Sequence, residues 1–270
     1  MTISNIIGAV NVGIIGMGKM GEAIAKGLLK AKRYKIFFHE INRERIEEIM
    51  AKYSQVKFLT LEQLVDTSQI IILAVKPQDL SQVLEKVNSV QKKEKLFISI
   101  CAGISTSYLA QRLPRARIIR IMPNMGALVG NAYSAITPGK KATPNDIKLV
   151  KEMFSTIGKV DVISEDLMDA VTALSGSGPG YLGYFLNALI EAGEEIGLGE
   201  NSREMVLSCL VSTARIVQEL NISPEQLVTM VASKGGTTEA CLSLWTESNF
   251  KQLVKDGVNK ALERAKELER

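Results

Sequence analysis

Hydrophobic residues follow different patterns in the two halves of the chain. In the first half, short apolar runs typical of β-strands alternate with segments whose apolar residues recur at helical spacing. The predicted strands are residues 10–15, 35–38, 56–59, 70–75, 96–100, 117–122, 132–136 and 160–163, and the first two predicted helices are residues 19–30 and 43–52. Fully apolar runs such as residues 70–75 are typical of strands covered on both faces. The alternation therefore predicts a parallel, doubly wound α/β sheet.

Long helical patterns replace the strands after about residue 164. The helices predicted there are residues 179–196, residues 201–220, one that begins at 223, and a charged one from 249 to the end. Capping-box patterns support two of these starts, because Asn201 is followed three positions later by Glu204, and Ser223 by Gln226.

The sequence thus predicts two domains, residues 1–164 and an all-helical domain of residues 165–270. Two helices of the second domain carry apolar residues at helical spacing, namely Tyr181, Leu182, Phe185, Leu186, Leu189 and Ile190 on one, and Val206, Leu207, Leu210, Val211 and Val217 on the other. A helical domain of this size has too little interior to bury both stripes. We therefore expect an intertwined dimer.

Composition narrows the class of protein. With 270 residues and 46% hydrophobic content, the chain is long enough for two ordinary cores. A net charge of +4, from 33 basic and 29 acidic residues scattered along the chain, argues against nucleic-acid binding. Three widely spaced cysteines lack metal-ligand spacing and favour a reducing compartment. The apolar segment 3–17 has no basic flank and no later run is long enough to cross a bilayer, so we expect a soluble cytoplasmic protein without a metal site.

A glycine motif lies where the first predicted strand gives way to the first helix. Its residues are Gly16, Met17, Gly18, Lys19, Met20 and Gly21. In such a motif the first glycine permits a tight turn, the second lets the backbone approach a pyrophosphate, and the third lets helix and strand pack closely. An acidic residue, Glu40, follows at the end of the second strand, nineteen positions beyond Gly21. The combination predicts a dinucleotide-binding domain.

The identity of the dinucleotide depends on the residues after the second strand. Glu40 could accept hydrogen bonds from ribose hydroxyls, which favours NADH. Asn42, Arg43 and Arg45 could instead hold the additional phosphate of NADPH. Because a carboxylate repels a phosphate, this segment slightly favours NADH and leaves NADPH open.

Two further segments lie at the carboxyl ends of predicted strands, the edge where doubly wound sheets bind ligands. They consist of Ala74, Val75, Lys76 and Pro77 after one strand, and of Ala102 and Gly103 after the next. Both could be simple strand-to-helix turns. Because they share an edge with the glycine motif, we expect them to contact the cofactor.

A second glycine-containing segment precedes a predicted helix near the end of the chain. It consists of Gly235, Gly236, Thr237 and Thr238. The first amides of a helix lack internal partners and attract anions, and the two hydroxyls can either cap the helix or donate to a carboxylate. An ordinary loop with an N-cap is the alternative. Together with a dinucleotide site, the segment suggests a reductase that acts on a small acid.

Several of these segments occur in the same order in pyrroline-5-carboxylate reductases, which the chain resembles over nearly its whole length. The shared segments are residues 16–21, 74–77, 122–124, 127–130, 175–179 and 235–238. The resemblance implies a Rossmann domain followed by a helical dimerisation domain. It also implies NADPH- or NADH-dependent reduction of 1-pyrroline-5-carboxylate to proline, the last step of proline biosynthesis, by interlocked homodimers that in this family often assemble into decamers.

The resemblance also implies roles for individual residues. It places the cofactor on residues 16–21, 74–77 and 102–103, and the substrate carboxylate on residues 235–238. Thr238 is the candidate catalytic residue, through a hydrogen bond to the ring nitrogen, although Thr237 could fill that role. The carboxylate-binding segment is expected to face the cofactor of the neighbouring subunit.

The chain departs from the family pattern at five positions. Met125 and Gly126 stand where a threonine and a proline are usual, and Lys234 replaces a proline. Glu239 stands where an apolar residue is common, and Ile41 replaces an arginine often found after the second strand. Lys234 could strengthen carboxylate binding, whereas Glu239 could oppose it.

Two other functions remain open from the sequence. A β-hydroxyacid dehydrogenase of similar architecture would need a catalytic lysine early in its second domain, but no lysine occurs between Lys159 and Lys234. A non-catalytic or regulatory paralogue that binds a dinucleotide without turnover is the other possibility, and the departures from the family pattern are its support.

Overall fold

The computed structural model describes residues 9–268. The start of the apolar segment 3–17 and the last two residues of the predicted C-terminal helix lie outside the described residues. The chain forms two compact units, one of Met1–Ser177 with Leu262–Arg270 and one of Gly178–Ala261. The predicted division at residue 164 stays a prediction.

The first unit contains one eight-stranded sheet. Its strands are β1 (Val10–Ile15), β2 (Tyr34–His39), β3 (Val56–Phe58), β4 (Ile70–Leu73), β5 (Lys95–Ser99), β6 (Ala116–Pro123), β7 (Ala132–Pro138) and β8 (Gly158–Val162). Their order across the sheet is β3-β2-β1-β4-β5-β6-β7-β8. The order reverses direction between β1 and β4, which is where doubly wound sheets bind their ligands. The predicted fold class is confirmed.

One pair of strands differs from the predicted parallel arrangement. β6 and β7 pair antiparallel, whereas all other neighbours are parallel. Only residues 124–131 connect these two strands, and they include a 3₁₀ turn at Met125–Val129. A parallel crossover needs about a dozen residues or more, so this short connection can only return the chain in the opposite direction.

Helices cover both faces of the sheet. They are α1 (Lys19–Lys30), α2 (Arg43–Lys52), α3 (Leu61–Thr67), α4 (Leu80–Val90), α5 (Thr106–Arg112) and α6 (Pro144–Phe154). Alternate residues of β4 enter different cores: Ile70 and Ile72 pack with α1, α2 and α6, while Ile71 and Leu73 pack with α3, α4 and α5. Burial on both faces explains why this strand is apolar at every position.

The rest of the chain is helical. A short α7 (Met168–Val171) and a π-helical turn at Thr172–Gly176 belong to the first unit, and α8 (Gly178–Gly193) opens the second. The later helices are α9 (Asn201–Glu219), α10 (Pro224–Val231), α11 (Thr237–Glu247) and α12 (Phe250–Leu268).

The two predicted capping boxes have different outcomes. The box of Ser223 and Gln226 is present at the start of α10. The box of Asn201 and Glu204 is wrong, because α9 begins directly after Glu200, which has helical backbone angles and makes no capping hydrogen bond.

The second unit buries almost none of its own residues. Between residues 178 and 261, only Gly193 and Ser202 are buried. Large apolar side chains are open to solvent, including Tyr184 at 83% and Leu253 at 68% exposure. An apolar cleft of 820 Å³ lies between α8 and α12 and is lined by aromatic and aliphatic side chains such as Phe185 and Leu253. An exposed apolar surface of this extent is typical of a protein interface.

No helix in the described part of the chain is by itself long and apolar enough to cross a bilayer. α9 and α10, which meet at a bend of 117°, satisfy the length and composition criteria only as a pair.

Candidate active site

Two glycines of the first motif occupy positions that admit no side chain. Gly16 has a φ of +93°, and a Cβ there would lie 2.7 Å from the carbonyl oxygen of Ala74. A Cβ on Gly21 would overlap the carbonyl oxygen of Gly16. These close approaches hold the start of α1 against the ends of β1 and β4. The turn is therefore shaped by contacts within the protein.

Gly18 differs from its neighbours because the space beside it is open. A Cβ at this position would meet no heavy atom of the described residues within 4 Å. Gly18 is the N-cap of α1, and no side chain caps that helix. The first amides of α1 therefore have no side-chain cap and carry a partial positive charge beside this open space, an arrangement that fits the pyrophosphate of a dinucleotide.

The carboxylate of Glu40 joins the end of β2 to the glycine motif. Its Oε2 accepts a hydrogen bond from the amide of Met17 at 2.9 Å. Its Oε1 accepts from the amides of Ile41 at 2.8 Å and Asn42 at 3.1 Å. Burial alone would raise the pKa of this carboxyl, but the three amide hydrogen bonds outweigh it and lower the pKa below its usual value. Glu40 is therefore a fixed anion beside the glycine motif.

Arg45, one of the candidates for a phosphate contact, is held within the protein. Its Nε donates to the carbonyl of Met17 at 2.7 Å. Its terminal nitrogens donate to Glu48 at 2.6 Å and to Glu22 at 2.5 Å. Only 19% of the Arg45 side chain is exposed, and its bond to Met17 supports the backbone of the glycine motif.

Glu22 keeps this arginine in place. It also accepts hydrogen bonds from Lys52 at 2.6 Å and from Tyr53 at 2.8 Å. Burial alone would raise the pKa of Glu22, but the bonds from Lys52, Arg45 and Tyr53 lower it to about 2. Glu22 is thus ionised at physiological pH.

The other two candidates for a phosphate contact lie at the start of α2. The side-chain oxygen of Asn42 caps the helix by accepting from the amide of Arg45 at 3.2 Å. Arg43 points outward with 92% of its side chain exposed and contacts Glu47 at 3.4 Å. An exposed pair of this kind is weak, so Arg43 is free to change partner.

The segments after β4 and β5 lie at the same edge of the sheet. Ala74 and Val75 are half-buried, while Lys76 and Pro77 are exposed. Cys101 is buried after β5, and its thiol lies 3.3 Å from the carbonyl of Val75. Burial raises the pKa of this thiol to about 11, so it stays protonated and acts as packing.

Ala102 and Gly103 follow this cysteine. Gly103 is buried with a φ of +68°, and a Cβ there would lie 2.6 Å from the carbonyl oxygen of Leu268. The end of α12 thus packs against Gly103, while Ala102 in the same loop is half-buried. No sequence pattern predicts this long-range contact, because it involves backbone atoms.

Asn124 is a polar residue at this edge that the candidate site did not include. Its Oδ1 accepts from the amides of Gly126 at 3.1 Å and Tyr133 at 3.2 Å. Its Nδ2 donates to the hydroxyl of Ser175 at 3.2 Å. The side chain therefore ties the end of β6 to the turn before α8. Asn124 and Ser175 both lie in segments that the chain shares with the family it resembles, and this was the signal that could have added Asn124 to the candidate site.

The predicted carboxylate-binding segment opens α11. Gly235 has a φ of +71°, and Gly236 is the N-cap without any side-chain capping bond. The first backbone bond into the helix is donated by Ala240 to Gly236. The amides of residues 237–239 therefore have no backbone acceptor among the described residues, and they form a place where an anion can bind.

The structure places the candidate residues in both units. All the candidate cofactor residues belong to the first unit, and the candidate carboxylate-binding residues belong to the second. Among the described residues, no group of three or more histidine, cysteine or acidic side chains could hold a metal ion.

Comparisons with known proteins identify the family. Residues 165–268 match the family model described as pyrroline-5-carboxylate reductase dimerisation, and residues 11–103 match one described as NADP oxidoreductase coenzyme F420-dependent. The chain is 36% identical to the pyrroline-5-carboxylate reductase of Methanosarcina acetivorans, over 95% of this chain and 97% of the relative. The chain belongs to the pyrroline-5-carboxylate reductase family.

Solved structures of the pyrroline-5-carboxylate reductase family agree with this assignment. The enzyme from Coxiella burnetii superposes with a TM-score of 0.88 at 28% identity, over 97% of this chain and 99% of that one. The enzyme from Plasmodium falciparum, described with NADP bound, superposes with a TM-score of 0.85 at 30% identity, over 97% of this chain and 98% of that one.

Two departures from the pyrroline-5-carboxylate reductase pattern have structural explanations. A Cβ on Gly126 would overlap the carbonyl oxygen of Asn131, so the turn after β6 in this chain admits only glycine there. Glu239 turns back over the start of α11, where its Oε2 accepts from the amide of Gly235 at 2.5 Å. The chain thus places a carboxylate of its own at the predicted carboxylate-binding segment.

Proposed function

We propose that this chain reduces 1-pyrroline-5-carboxylate to proline with NADPH or NADH, the last step of proline biosynthesis. The observation that carries the proposal is the similarity to relatives named pyrroline-5-carboxylate reductase, which runs through 95% of the chain and so includes both candidate binding segments. The free amides at the start of α11 support an acidic substrate.

The first unit has the features that a dinucleotide requires. The open N-terminus of α1 at Gly18 would hold the pyrophosphate, and Lys19 and Met20 continue that turn. The segments 74–77 and 102–103 would line the nicotinamide side. When bound, the reduced nicotinamide supplies the hydride, so the protein needs no redox group of its own.

The second unit would hold the substrate. Amides of residues 237–239 would bind the carboxylate, with Gly235 and Gly236 allowing its close approach. The hydroxyl of Thr238 would accept a hydrogen bond from the protonated ring nitrogen, which fixes the orientation of the imine carbon. A protonated cyclic imine accepts hydride readily, so the main contribution of the protein is positioning.

We further propose a homodimer with interlocked helical domains. The domains would be residues 1–164 and 165–270, and the carboxylate-binding segment of one subunit would face the cofactor of the other. The support is that the second unit buries only two of its own residues and matches a dimerisation domain. Dimers would assemble further into decamers.

We also propose that the enzyme works in the cytoplasm. Its three free cysteines, Cys101, Cys209 and Cys241, suit a reducing compartment.

The test is oxidation of NADH or NADPH by the purified protein with 1-pyrroline-5-carboxylate, with proline as the measured product. Consumption of reduced cofactor in proportion to proline formed is the expected result. Tight cofactor binding without any oxidation would instead support the non-catalytic paralogue.

Replacing Thr238 by alanine is expected to lower kcat/KM for the imino acid by about 10- to 100-fold, because a hydrogen bond to a charged group contributes about 1.5–3 kcal/mol. Cofactor affinity is expected to remain unchanged. Thr246→Ala is a matched control, since this threonine lies on the same helix and its hydroxyl bonds to the carbonyl of Leu242. Equal kinetics for the two variants would contradict the role of Thr238.

Replacing Glu239 by glutamine is expected to lower the KM for the imino acid by about 2- to 5-fold. The reason is that a like charge about 4 Å from the substrate carboxylate costs about 1 kcal/mol near water. Glu247→Gln, at the exposed far end of α11, is the control. A raised KM for Glu239→Gln would show that this carboxylate supports the substrate site.

A further inference from the structure

The residues just after β2 are where a doubly wound dinucleotide site meets the adenosine ribose. In this chain they are Glu40, Ile41, Asn42 and Arg43. NADH carries a hydroxyl on the 2′ carbon of that ribose, whereas NADPH carries a phosphate there. The contacts of these residues therefore bear on which cofactor binds better.

Glu40 has one acceptor position left for a ligand. Oε1 uses both of its lone pairs, since it accepts from the amides of Ile41 and Asn42. Oε2 uses one, for the amide of Met17, and keeps the other. A ribose hydroxyl can donate to this free position. A phosphate without protons cannot donate, and it would place its negative charge against an anion that the backbone amides hold in place.

Cations that would compensate a phosphate are scarce in this stretch. All three kinds of guanidinium nitrogen of Arg45 are bonded, to Met17, Glu48 and Glu22. Ile41 presents an apolar side chain that is 89% exposed directly beside Glu40. Arg43 is 92% exposed and pairs only weakly with Glu47, so it could turn towards a phosphate, but its single charge would be set against the negative charge of Glu40 three positions before it.

We propose that this chain binds NADH in preference to NADPH, and that Glu40 determines the preference. The inference rests on the dinucleotide site proposed above and is specific to this chain, since a relative has been described with NADP bound. Because two like charges at hydrogen-bonding range repel strongly at a partly shielded surface, we expect NADPH to bind at least about tenfold more weakly than NADH.

The experiment measures equilibrium dissociation constants of NADH and NADPH for the full chain without substrate, by titration calorimetry. Ile41→Arg adds a cation at a position that packs against little, so folding is not at risk. It is expected to tighten NADPH binding by about fivefold or more while leaving NADH binding unchanged. Ile41→Gln is the matched control, because it adds a polar side chain without charge and is expected to change neither constant.

Glu40→Gln provides a second arm. It keeps a side-chain oxygen but removes the charge. We expect it to weaken NADH binding and tighten NADPH binding, so that the two dissociation constants become more similar. Equal or tighter binding of NADPH by the unaltered chain would overturn this inference but leave the proposed dinucleotide site in place. A preference for NADH that persists in both Ile41→Arg and Glu40→Gln would overturn the role of Glu40. Failure of both nucleotides to bind would overturn the proposed dinucleotide site and the inference with it.

Discussion

Gly18→Val is expected to weaken binding of the reduced cofactor by about 10- to 100-fold. The added side chain would enter the open space at the N-terminus of α1, where it meets no protein atom but would overlap a pyrophosphate. Steric overlap of this kind costs about 1–3 kcal/mol. The backbone of Gly18, with a φ of −66° and a ψ of −172°, is extended and accepts valine without strain.

Gly21→Ala is the variant to compare with Gly18→Val, because it should affect stability instead of cofactor binding. A Cβ on Gly21 would overlap the carbonyl of Gly16, so Gly21→Ala is expected to lower the thermal unfolding temperature. Gly18→Val should lower it by only a few degrees, through loss of a favourable N-cap residue. Calorimetric titration and thermal unfolding of both variants check this. Undiminished cofactor affinity in Gly18→Val would show that the pyrophosphate binds elsewhere.

Leu253→Asp is expected to convert the protein from a dimer or larger assembly into monomers and to abolish its activity. Leu253 is 68% exposed in the chain alone and lines the apolar cleft between α8 and α12. If a second subunit covers this cleft, an aspartate there would be buried without a partner, which costs several kcal/mol. Sedimentation at micromolar concentration measures the outcome.

The control for this variant is Lys255→Asp, which introduces the same side chain at an exposed polar position two residues further along α12. It is expected to sediment like the unaltered protein. A monomeric unaltered protein, or a dimeric Leu253→Asp variant, would contradict the proposed interface.

The strands of the sheet were predictable because strands buried on both faces have apolar residues at successive positions. β4 is apolar along its length, and so are the three central residues of β5, since residues on both faces of each strand enter a core. The direction of β7 cannot be predicted from its hydrophobic pattern, because a buried antiparallel strand can have the same pattern as a parallel one. Only the short connection at residues 124–131 determines it.

The structural roles of Gly16 and Gly21 could be predicted from the sequence, but the hydrogen-bond partners of charged side chains could not. Gly16 has a positive φ, and Gly21 packs on the carbonyl of Gly16 only five positions before it, so both belong to one local turn. Arg45, in contrast, bonds to Met17 and Glu22, which precede it by 28 and 23 positions. Such pairing depends on how α1 and α2 pack. The same holds for Glu40, whose sequence position suggested a ribose contact but not its bond to the amide of Met17.

The most direct test of the account follows the transferred hydride. Reduced cofactor that carries deuterium on the transferred position of nicotinamide C4 is incubated with 1-pyrroline-5-carboxylate and the purified protein, and the proline formed is examined by mass spectrometry. The account predicts one deuterium on the ring carbon that was part of the imine. Proline without the label, or no proline despite tight binding of the cofactor, would contradict it.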